Sequence, residues 1–288
     1  MTVHYKEHPS AKEIIALQKD DGTWGSSFHS LSVPKGTKEL TTEQALRRLW
    51  ILGYTLEDEV IRKTVKCMEA CLRGERKIDN YWEKTHDWEL FTMLMLSAWI
   101  RIFDSDNVDA VKFSKRWVKI IELAFSNGTY CHNAYLTAYR NAFSSNPKGA
   151  RELDFSDFYH LVLLKGMLSK ETQNYLLDYI LTKQNGIYYI YTESSICQLP
   201  KVFASKQTSH YLSALEILSE YDGAGEKLSF AIAWLYQYQD LNGQWDLGKQ
   251  ARDGVYFPLS NSWRKAEDRK KDCTYRINGI LKKLSGYD

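Results

Sequence analysis

A seven-residue phrase occurs twice in this chain, once near each end. Residues 18–24 read Gln-Lys-Asp-Asp-Gly-Thr-Trp and residues 239–245 read Gln-Asp-Leu-Asn-Gly-Gln-Trp, so the pattern Gln-x3-Gly-x-Trp recurs 221 positions later. A helix-like apolar run precedes each copy. Because glycine readily takes the left-handed conformation that ends a helix, each copy indicates a helix C-terminus. A repeated helix terminus predicts a repeat protein, which constrains the fold more than any other feature.

Three weaker copies of the phrase lie between these two. They are Cys-Leu-Arg-Gly at 71–74, Phe-Ser-Asn-Gly-Thr-Tyr at 125–130 and Gln-Asn-Gly-Ile-Tyr at 184–188. The five glycines, at positions 22, 74, 128, 186 and 243, are spaced by 52, 54, 58 and 57 residues. One period therefore runs through the chain, and we predict a single domain over residues 1–288.

Each glycine follows an amphipathic outer helix and precedes a more apolar inner helix. The predicted inner helices span residues 42–53, 87–103, 155–168, 209–221 and 272–284. Their starts carry side chains that cap helices, namely Thr41 or Thr42, Asp87, Asp154 or Ser156, Thr208 or Ser209, and Asp272. Helix pairs of 52 to 58 residues cannot bury their apolar faces alone and must stack on their neighbours. We therefore predict an all-α fold, an α/α toroid of about five helix pairs in a closed or nearly closed ring.

Two segments depart from the repeat unit. Residues 130–143 have the pattern of an additional helix, which ends before a Ser- and Pro-containing break. Residues 187–200, rich in Tyr and Thr, are expected to be extended or to form a short hairpin. Neither departure disturbs the period.

The repeated phrase resembles the QW motif of squalene-hopene and oxidosqualene cyclases, whose α/α toroids share related turns with the β-subunits of protein prenyltransferases. In such a turn the Gln side chain can bond backbone groups at the helix end and the Trp can stack on the next repeat. The resemblance covers almost the whole chain. It implies a cyclase-like toroid whose central cavity binds a mostly apolar small molecule, an isoprenoid or similar lipid.

The catalytic motifs of that superfamily are not intact in this sequence. The closest string to the cyclase D-x-D-D acid, at 104–107, reads Asp-Ser-Asp-Asn and lacks the last aspartate. No Asp-x-Cys pair for zinc occurs, and Asp20-Asp21 does not continue into D-D-x-x-D. We therefore predict no metal and no cofactor, and catalytic turnover is left open.

In a toroid, the aligned starts of the inner helices converge on the mouth of the central cavity. A carboxylate near a neutral histidine in a partly closed cavity suits general acid–base chemistry, as in a cyclase- or transferase-like enzyme. The predicted catalytic residues are Asp87, Glu89, His160 and His210. The predicted substrate-binding residues are Glu43, Arg47, His86, Trp88, Tyr159, Tyr211, Tyr275 and Arg276. A structural role is the alternative for each of these residues. The acidic side chains, for example, complement the dipole at helix starts.

The composition of the chain limits the kinds of partner that we expect it to bind. A net charge of +2, from 38 basic and 36 acidic residues, gives no bulk reason to expect nucleic acid or an anionic membrane surface. No apolar stretch is long enough to span a membrane, and the first residues do not resemble a targeting segment. The five cysteines show no paired spacing. We therefore predict a cytoplasmic protein with reduced thiols and no transmembrane segment.

Two other functions stay open beside the cyclase-like one. Aromatic residues make up 14% of the chain, and their rings can stack on sugars as well as on hydrocarbons. A carbohydrate-active toroid, of the glycoside hydrolase or lyase type, is therefore one alternative. A non-catalytic helical-repeat scaffold that binds a protein partner is the other. The sequence leaves the oligomeric state open.

Overall fold

The computed structural model describes residues 5–30, 39–78, 87–253, 255–256, 258–260 and 262–286. Within those ranges the chain is helical and forms no strand, only two isolated β-bridges. The all-α prediction is confirmed. The α-helices are α1 (Pro9–Ala16), α2 (Thr42–Ile51), α3 (Glu59–Leu72), α4 (Trp88–Phe103), α5 (Val108–Ala124), α6 (His132–Phe143), α7 (Ala150–Leu153), α8 (Phe158–Leu164), α9 (Lys170–Thr182), α10 (Lys206–Leu218), α11 (Ala224–Lys227), α12 (Ser229–Gln237) and α13 (Ala266–Leu284).

Helices at the positions predicted for outer and inner helices alternate along the chain, and we keep those two names for them. The outer helices are α1, α3, α5, α9 and α12, and the inner helices are α2, α4, α8, α10 and α13. Successive inner helices pack side by side, α4 against α8, α8 against α10 and α10 against α13. The additional helix predicted over 130–143 is α6, which packs on α5. The buried apolar side chains of both layers form one continuous cluster.

The glutamines of the two full phrases make the same local hydrogen bond. Gln18 Nε2 donates to the carbonyl of Gly22 at 3.2 Å, and Gln239 Nε2 donates to that of Gly243 at 3.1 Å. Gln18 Nε2 also donates to the carbonyl of Val60, on α3, at 2.9 Å. The first glutamine therefore closes its own turn and joins α1 to the next outer helix.

The tryptophans of the two phrases are equivalent as well. The indole N–H of Trp24 donates to the carbonyl of Ile14, and that of Trp245 donates to the carbonyl of Leu235, both at 2.7 Å. Each indole therefore bonds the outer helix that precedes it, ten residues back in the chain. Both rings are 1% exposed. The repeated phrase is one folded unit built twice, with the glutamine and tryptophan as structural groups.

The N-terminal segment before α1 contacts the last inner helix. Tyr5, in a short 3-10 helix before α1, makes an edge-to-face contact with Tyr275 of α13, with ring centroids 5.9 Å apart. A ring of helix pairs requires such a contact between its two ends. Ring closure itself remains a prediction, which this contact supports.

Three of the five inner-helix starts, those of α2, α4 and α8, were predicted to within three residues. Thr41 accepts a hydrogen bond from the Gln44 N–H and caps α2, and Asp87 accepts from the Leu90 N–H and caps α4. Asp157, one residue from a predicted cap, accepts from the His160 N–H and caps α8. These boundaries follow from side-chain chemistry that the sequence displays.

Two inner-helix starts were predicted too late. α10 begins at Lys206 because Ser205, not Thr208 or Ser209, caps it. α13 begins at Ala266, six residues before the predicted start at Asp272. The Asp272 carboxylate instead accepts the Leu259 N–H at 3.0 Å and the Trp263 indole N–H at 2.8 Å, so it fastens the preceding loop.

Gly22 is predicted to resist substitution for two separate reasons. Its φ is +88°, and a Cβ there would lie 2.7 Å from the carbonyl oxygen of Lys63. Gly74 shares the strain, with φ +73°, but a Cβ there would meet nothing within 4 Å. Gly74→Ala should cost about 1–2 kcal/mol of unfolding free energy, and Gly22→Ala about 1–3 kcal/mol more because backbone must move. Urea denaturation of both variants measures the difference, and equal losses would show that the close approach to α3 is unimportant.

No helix in the described ranges combines the length and the apolarity that crossing a membrane requires.

Candidate functional site

A buried carboxylate lies where the inner helices α2 and α8 begin. The side chain of Glu43 is fully buried. Its Oε1 accepts hydrogen bonds from the indole N–H of Trp99 at 2.6 Å and from the hydroxyl of Tyr159 at 2.7 Å. Its Oε2 accepts from the Ser30 N–H at 2.6 Å and lies 2.9 Å from His29 Nδ1. Three donors and the His29 ring nitrogen thus replace the water that a carboxylate loses on burial.

Aromatic rings surround this carboxylate, and we call the group of His29, Trp88, Phe91, Tyr159 and Tyr189 the aromatic wall. Phe91 is the hub, with centroid distances of 5.2 Å to His29, 5.4 Å to Trp88 and 5.6 Å to Tyr159. Tyr189 packs edge-on against Tyr159 at 4.9 Å. Phe91 and Tyr159 are buried, whereas the other three are half-buried and reach the protein surface. The wall therefore connects the surface with Glu43.

Tyr189 is held in an unusual backbone conformation. Its φ is +72°, a region that residues other than glycine rarely occupy. Two isolated bridges surround it, one pairing Asp157 with Tyr188 and the other pairing Ile187 with Tyr191. The first part of the segment predicted to be extended or a short hairpin, residues 187–191, is therefore a tight turn closed by an antiparallel bridge, and the ring of Tyr189 belongs to the wall. Strained residues of this kind are concentrated at functional sites.

Tyr159 stays protonated in this setting. Burial raises its pKa well above the usual value of 10, and the negative charge of Glu43 raises it further. Its hydroxyl lies 2.7 Å from Glu43 Oε1 and 2.9 Å from His29 Nδ1. One neutral hydroxyl thus connects a carboxylate to an imidazole, which is an arrangement able to relay a proton.

Arg47 lies one helical turn after Glu43 on α2 and is 4% exposed. Its guanidinium stacks on the ring of Phe158 at 4.7 Å. Burial lowers its pKa to about 10, although the negative charges of Glu216 and Glu43 oppose that shift. Its Nε and Nη2 atoms are buried and have no hydrogen-bond partner.

Arg276, the other predicted arginine, is fully engaged. From α13 its Nε donates to Glu216 Oε1 at 2.8 Å and its Nη2 to Glu216 Oε2 at 3.1 Å. Nη2 also donates to the Ser213 hydroxyl at 2.7 Å, and the guanidinium lies 3.7 Å from the centre of the Tyr256 ring. This two-point ion pair joins α10 to α13.

His210 lies near two carboxylates. Its Nδ1 lies 2.5 Å from Glu193 Oε1, and its Nε2 lies 3.8 Å from Asp253 Oδ2. The other oxygen of Asp253 accepts the backbone N–H groups of Val255 and Tyr256 at 2.6 Å each. Asp253 is 8% exposed, and its Oδ2 makes no hydrogen bond.

Like His210, the other three predicted catalytic residues are not members of the aromatic wall, although Asp87 and Glu89 are the chain neighbours of Trp88. Asp87 is the cap of α4, and Glu89 on the first turn of that helix is exposed. His160 faces the outer layer, where its ring packs edge-on against Trp117 of α5 at 4.3 Å. Its Nδ1 lies 2.6 Å from Asp157 Oδ2, within the same capped turn. Asp87, Glu89 and His160 therefore have the positions and contacts of residues at helix starts.

Three predicted binding residues are also placed elsewhere or not described. Tyr211 faces the outer layer, where it packs edge-on against Trp234 of α12 at 5.6 Å and its hydroxyl donates to the Ile196 carbonyl. Tyr275 is 54% exposed and lies in the middle of α13, because that helix begins earlier than predicted. His86 lies outside the described residues.

Several residues of the site are not among those predicted from the sequence. His29 lies in the loop before α2, and Tyr189 lies in the loop before α10, so neither falls at an inner-helix start. Trp99 lies in the middle of α4 and is buried, and its indole N–H donates to Glu43. Phe91 is three residues after Trp88, a spacing that places two residues on one helix face and could have identified it.

A separate small cleft, with a cavity volume of about 20 Å³, lies at the first Gln-x3-Gly-x-Trp turn, and none of its lining residues belongs to the aromatic wall. It is lined by Lys19, Asp21, Thr23, Trp24, Gly25, Ser27, Phe28, Thr42, Cys67, Arg76, Lys77 and Ile78. In the described part of the chain, no three His, Cys, Asp or Glu side chains are grouped so as to hold a metal ion.

No protein family model matches the chain, and no curated protein or solved structure matches it. The resemblance to cyclases therefore rests on the repeated turns.

Proposed function

We propose that this chain binds a mostly apolar small molecule against the aromatic wall, with Glu43, Tyr159 and His29 as its polar centre. One observation carries the proposal. The Tyr159 hydroxyl contacts Glu43 Oε1 at 2.7 Å and His29 Nδ1 at 2.9 Å, while the ring of the same residue belongs to the wall. An apolar contact surface and a proton-handling group thus occupy one place.

The chemistry of the wall favours a particular ligand class. Aromatic faces attract hydrocarbon and also positive charge, through their negative π faces. The buried Glu43 carboxylate beside the rings adds negative potential. A hydrocarbon-rich ligand that carries or develops positive charge fits both features, in agreement with the isoprenoid or lipid-like ligand that the cyclase resemblance implies.

If the protein is an enzyme, we propose acid–base chemistry of the cyclase or transferase type. The geometry favours His29 and Tyr159 as the proton-transfer groups, with Glu43 as their anchor, over Asp87, Glu89, His160 and His210. Trp88 and Arg47 keep the binding roles predicted for them. General acid–base groups of this kind contribute about 10²–10⁴-fold to a rate.

Native mass spectrometry of the protein purified from its own host tests the proposal. We expect a retained small molecule, mostly hydrocarbon in composition, that Phe91→Ala releases. A retained sugar would favour a carbohydrate-active protein instead. A protein that carries no ligand, and whose Phe91→Ala variant leaves cellular lipid and glycan profiles unchanged, would favour a scaffold and contradict the proposed site.

Tyr159→Phe should separate binding from proton transfer. The variant keeps the ring of the wall and removes the hydroxyl between Glu43 and His29, so ligand retention should persist while any turnover falls by about 10²-fold or more. Tyr211→Phe is the matched control, because it removes another buried inner-helix hydroxyl, one that bonds the Ile196 carbonyl. Turnover that falls equally in both variants would show that Tyr159 has no special role.

We also propose a cytoplasmic location. All five cysteines are free, including the pair Cys67 and Cys71 on α3. Free thiols without a disulfide framework are typical of reducing compartments.

A further inference from the structure

The Arg47 guanidinium is a buried cation whose neighbouring carboxylates are already occupied. Each carboxylate oxygen of Glu43 already has two other polar partners. Glu216 is held at two points by Arg276. Within the described ranges, Arg47 therefore has charged neighbours but no acceptor for its Nε and Nη2 groups. A pKa lowered only to about 10 leaves it charged at neutral pH.

The two unpartnered nitrogens lie on the same edge of the guanidinium. Nε–H and one N–H of Nη2 point in parallel, and this edge matches the two oxygens of a carboxylate or phosphate. The ring of Phe158, whose centre lies 4.7 Å from the guanidinium carbon, is an apolar neighbour, and neither nitrogen of this edge has a hydrogen-bond partner. Charged edges of this kind bind anions at two points.

The protein interior also holds a carboxylate oxygen that accepts no hydrogen bond. Asp253 Oδ2 is buried, makes no hydrogen bond and lies 3.8 Å from His210 Nε2. The charge of Asp253 acts on Arg47 as well as on Arg276. The interior thus holds an unused donor pair and an unused acceptor.

We propose that Arg47 binds the anionic group of the ligand, so that the ligand is an amphipathic acid. Its carboxylate or phosphate group receives the Nε–H and Nη2–H bonds, and its apolar part lies against the aromatic wall. Asp253 Oδ2 then accepts a hydroxyl or amino hydrogen near the anionic group. This inference rests on the proposed function and names the polar end of the same ligand.

Thermal denaturation with two simple probes, pyrophosphate and benzoate, tests the inference. A ligand that binds only the folded state raises the melting temperature. We expect at least one probe to raise the melting temperature of the wild-type protein, and the one that does identifies a phosphate or a carboxylate. Arg47→Lys, which keeps the charge but loses the two-point edge, should bind that probe about tenfold more weakly or worse.

Arg47→Met supplies the decisive contrast. Without a probe, this variant should melt at a higher temperature than the wild type, because it removes a buried charge that has no acceptor. Arg276→Met, the matched control, should melt at a lower temperature, because it leaves Glu216 unpaired. Arg47→Met should also lose the response to the probe. The inference is overturned if Arg47→Met destabilises like Arg276→Met, or if neither probe affects the wild type, or if the response survives in Arg47→Met.

The outcomes separate this inference from the proposed function. A retained hydrocarbon ligand without an acidic group, together with no response to either probe, would contradict the role of Arg47 and leave the aromatic wall as a binding site. A probe response that depends on Arg47, in a protein that retains no ligand and tolerates Phe91→Ala, would support the anion site and contradict the apolar one.

Discussion

Glu43→Ala should lower the free energy of unfolding by about 3–5 kcal/mol, among the largest losses for a single substitution in this chain. The variant leaves the buried indole N–H of Trp99 without its acceptor and removes the carboxylate from the Tyr159 hydroxyl, which still has His29 Nδ1 at 2.9 Å. Unsatisfied buried donors cost about 1–3 kcal/mol each when water cannot reach them. Urea denaturation, followed by tryptophan fluorescence and by circular dichroism, measures the loss.

Glu89→Ala is the control for that result. Glu89 is also an acidic residue on the first turn of an inner helix, but it is exposed. Its replacement should change stability little, since surface substitutions usually have small effects. Equal losses in the two variants would mean that Glu43 acts only through the helix dipole, and that the hydrogen bonds to its carboxylate add nothing.

Trp24→Ala and Trp245→Ala should each lower the free energy of unfolding by about 3–5 kcal/mol. Each variant empties a site that is 1% exposed and removes the hydrogen bond from the indole to the preceding outer helix. Because the two turns are equivalent, the two losses should be similar. Denaturant titration under identical conditions compares them.

The phenylalanine variants at the same positions separate packing from hydrogen bonding. Trp24→Phe and Trp245→Phe keep an aromatic ring and lose the N–H group, so each should retain most of the stability that the alanine variant loses. Trp50→Ala, at a ring that is 38% exposed, is the control for tryptophan removal in general. A loss in Trp50→Ala as large as those at the two turns would show that the turns have no special structural role.

Local chemistry accounts for what the sequence predicted of the fold. The glycine period marked all five outer helices, but only Gly74 directly follows the C-cap of its helix, and Gly186 lacks the positive φ of the other four glycines. Asp87 located α4 because it is the obvious cap there. Where several hydroxyl or acidic residues compete, the cap depends on tertiary contacts. The Asp272 carboxylate accepts hydrogen bonds from loop residues before α13 and therefore does not cap that helix. No local sequence pattern reveals these contacts.

The site was predictable only where it coincides with a helix start. Alignment of the repeats placed Glu43, Tyr159 and Trp88 together, and the structure brings all three to the aromatic wall and its carboxylate. His29 and Tyr189 join them from loops that are 160 positions apart in the chain. Such loop positions depend on the folded chain as a whole, so periodicity says nothing about them.

The two equivalent turns differ in the hydrogen bonds that their glutamines make to the rest of the molecule. Gln18 reaches the Val60 carbonyl and the Thr64 hydroxyl on α3, whereas Gln239 is exposed and, among the described residues, bonds only within its own turn. In repeat proteins, cooperativity depends on such contacts between neighbouring units. A local opening at the first turn therefore disturbs the outer helix of the next pair. An opening at the last turn instead disturbs α13, to which Asp240 and the Trp245 N–H are bonded through Lys270 and Thr274.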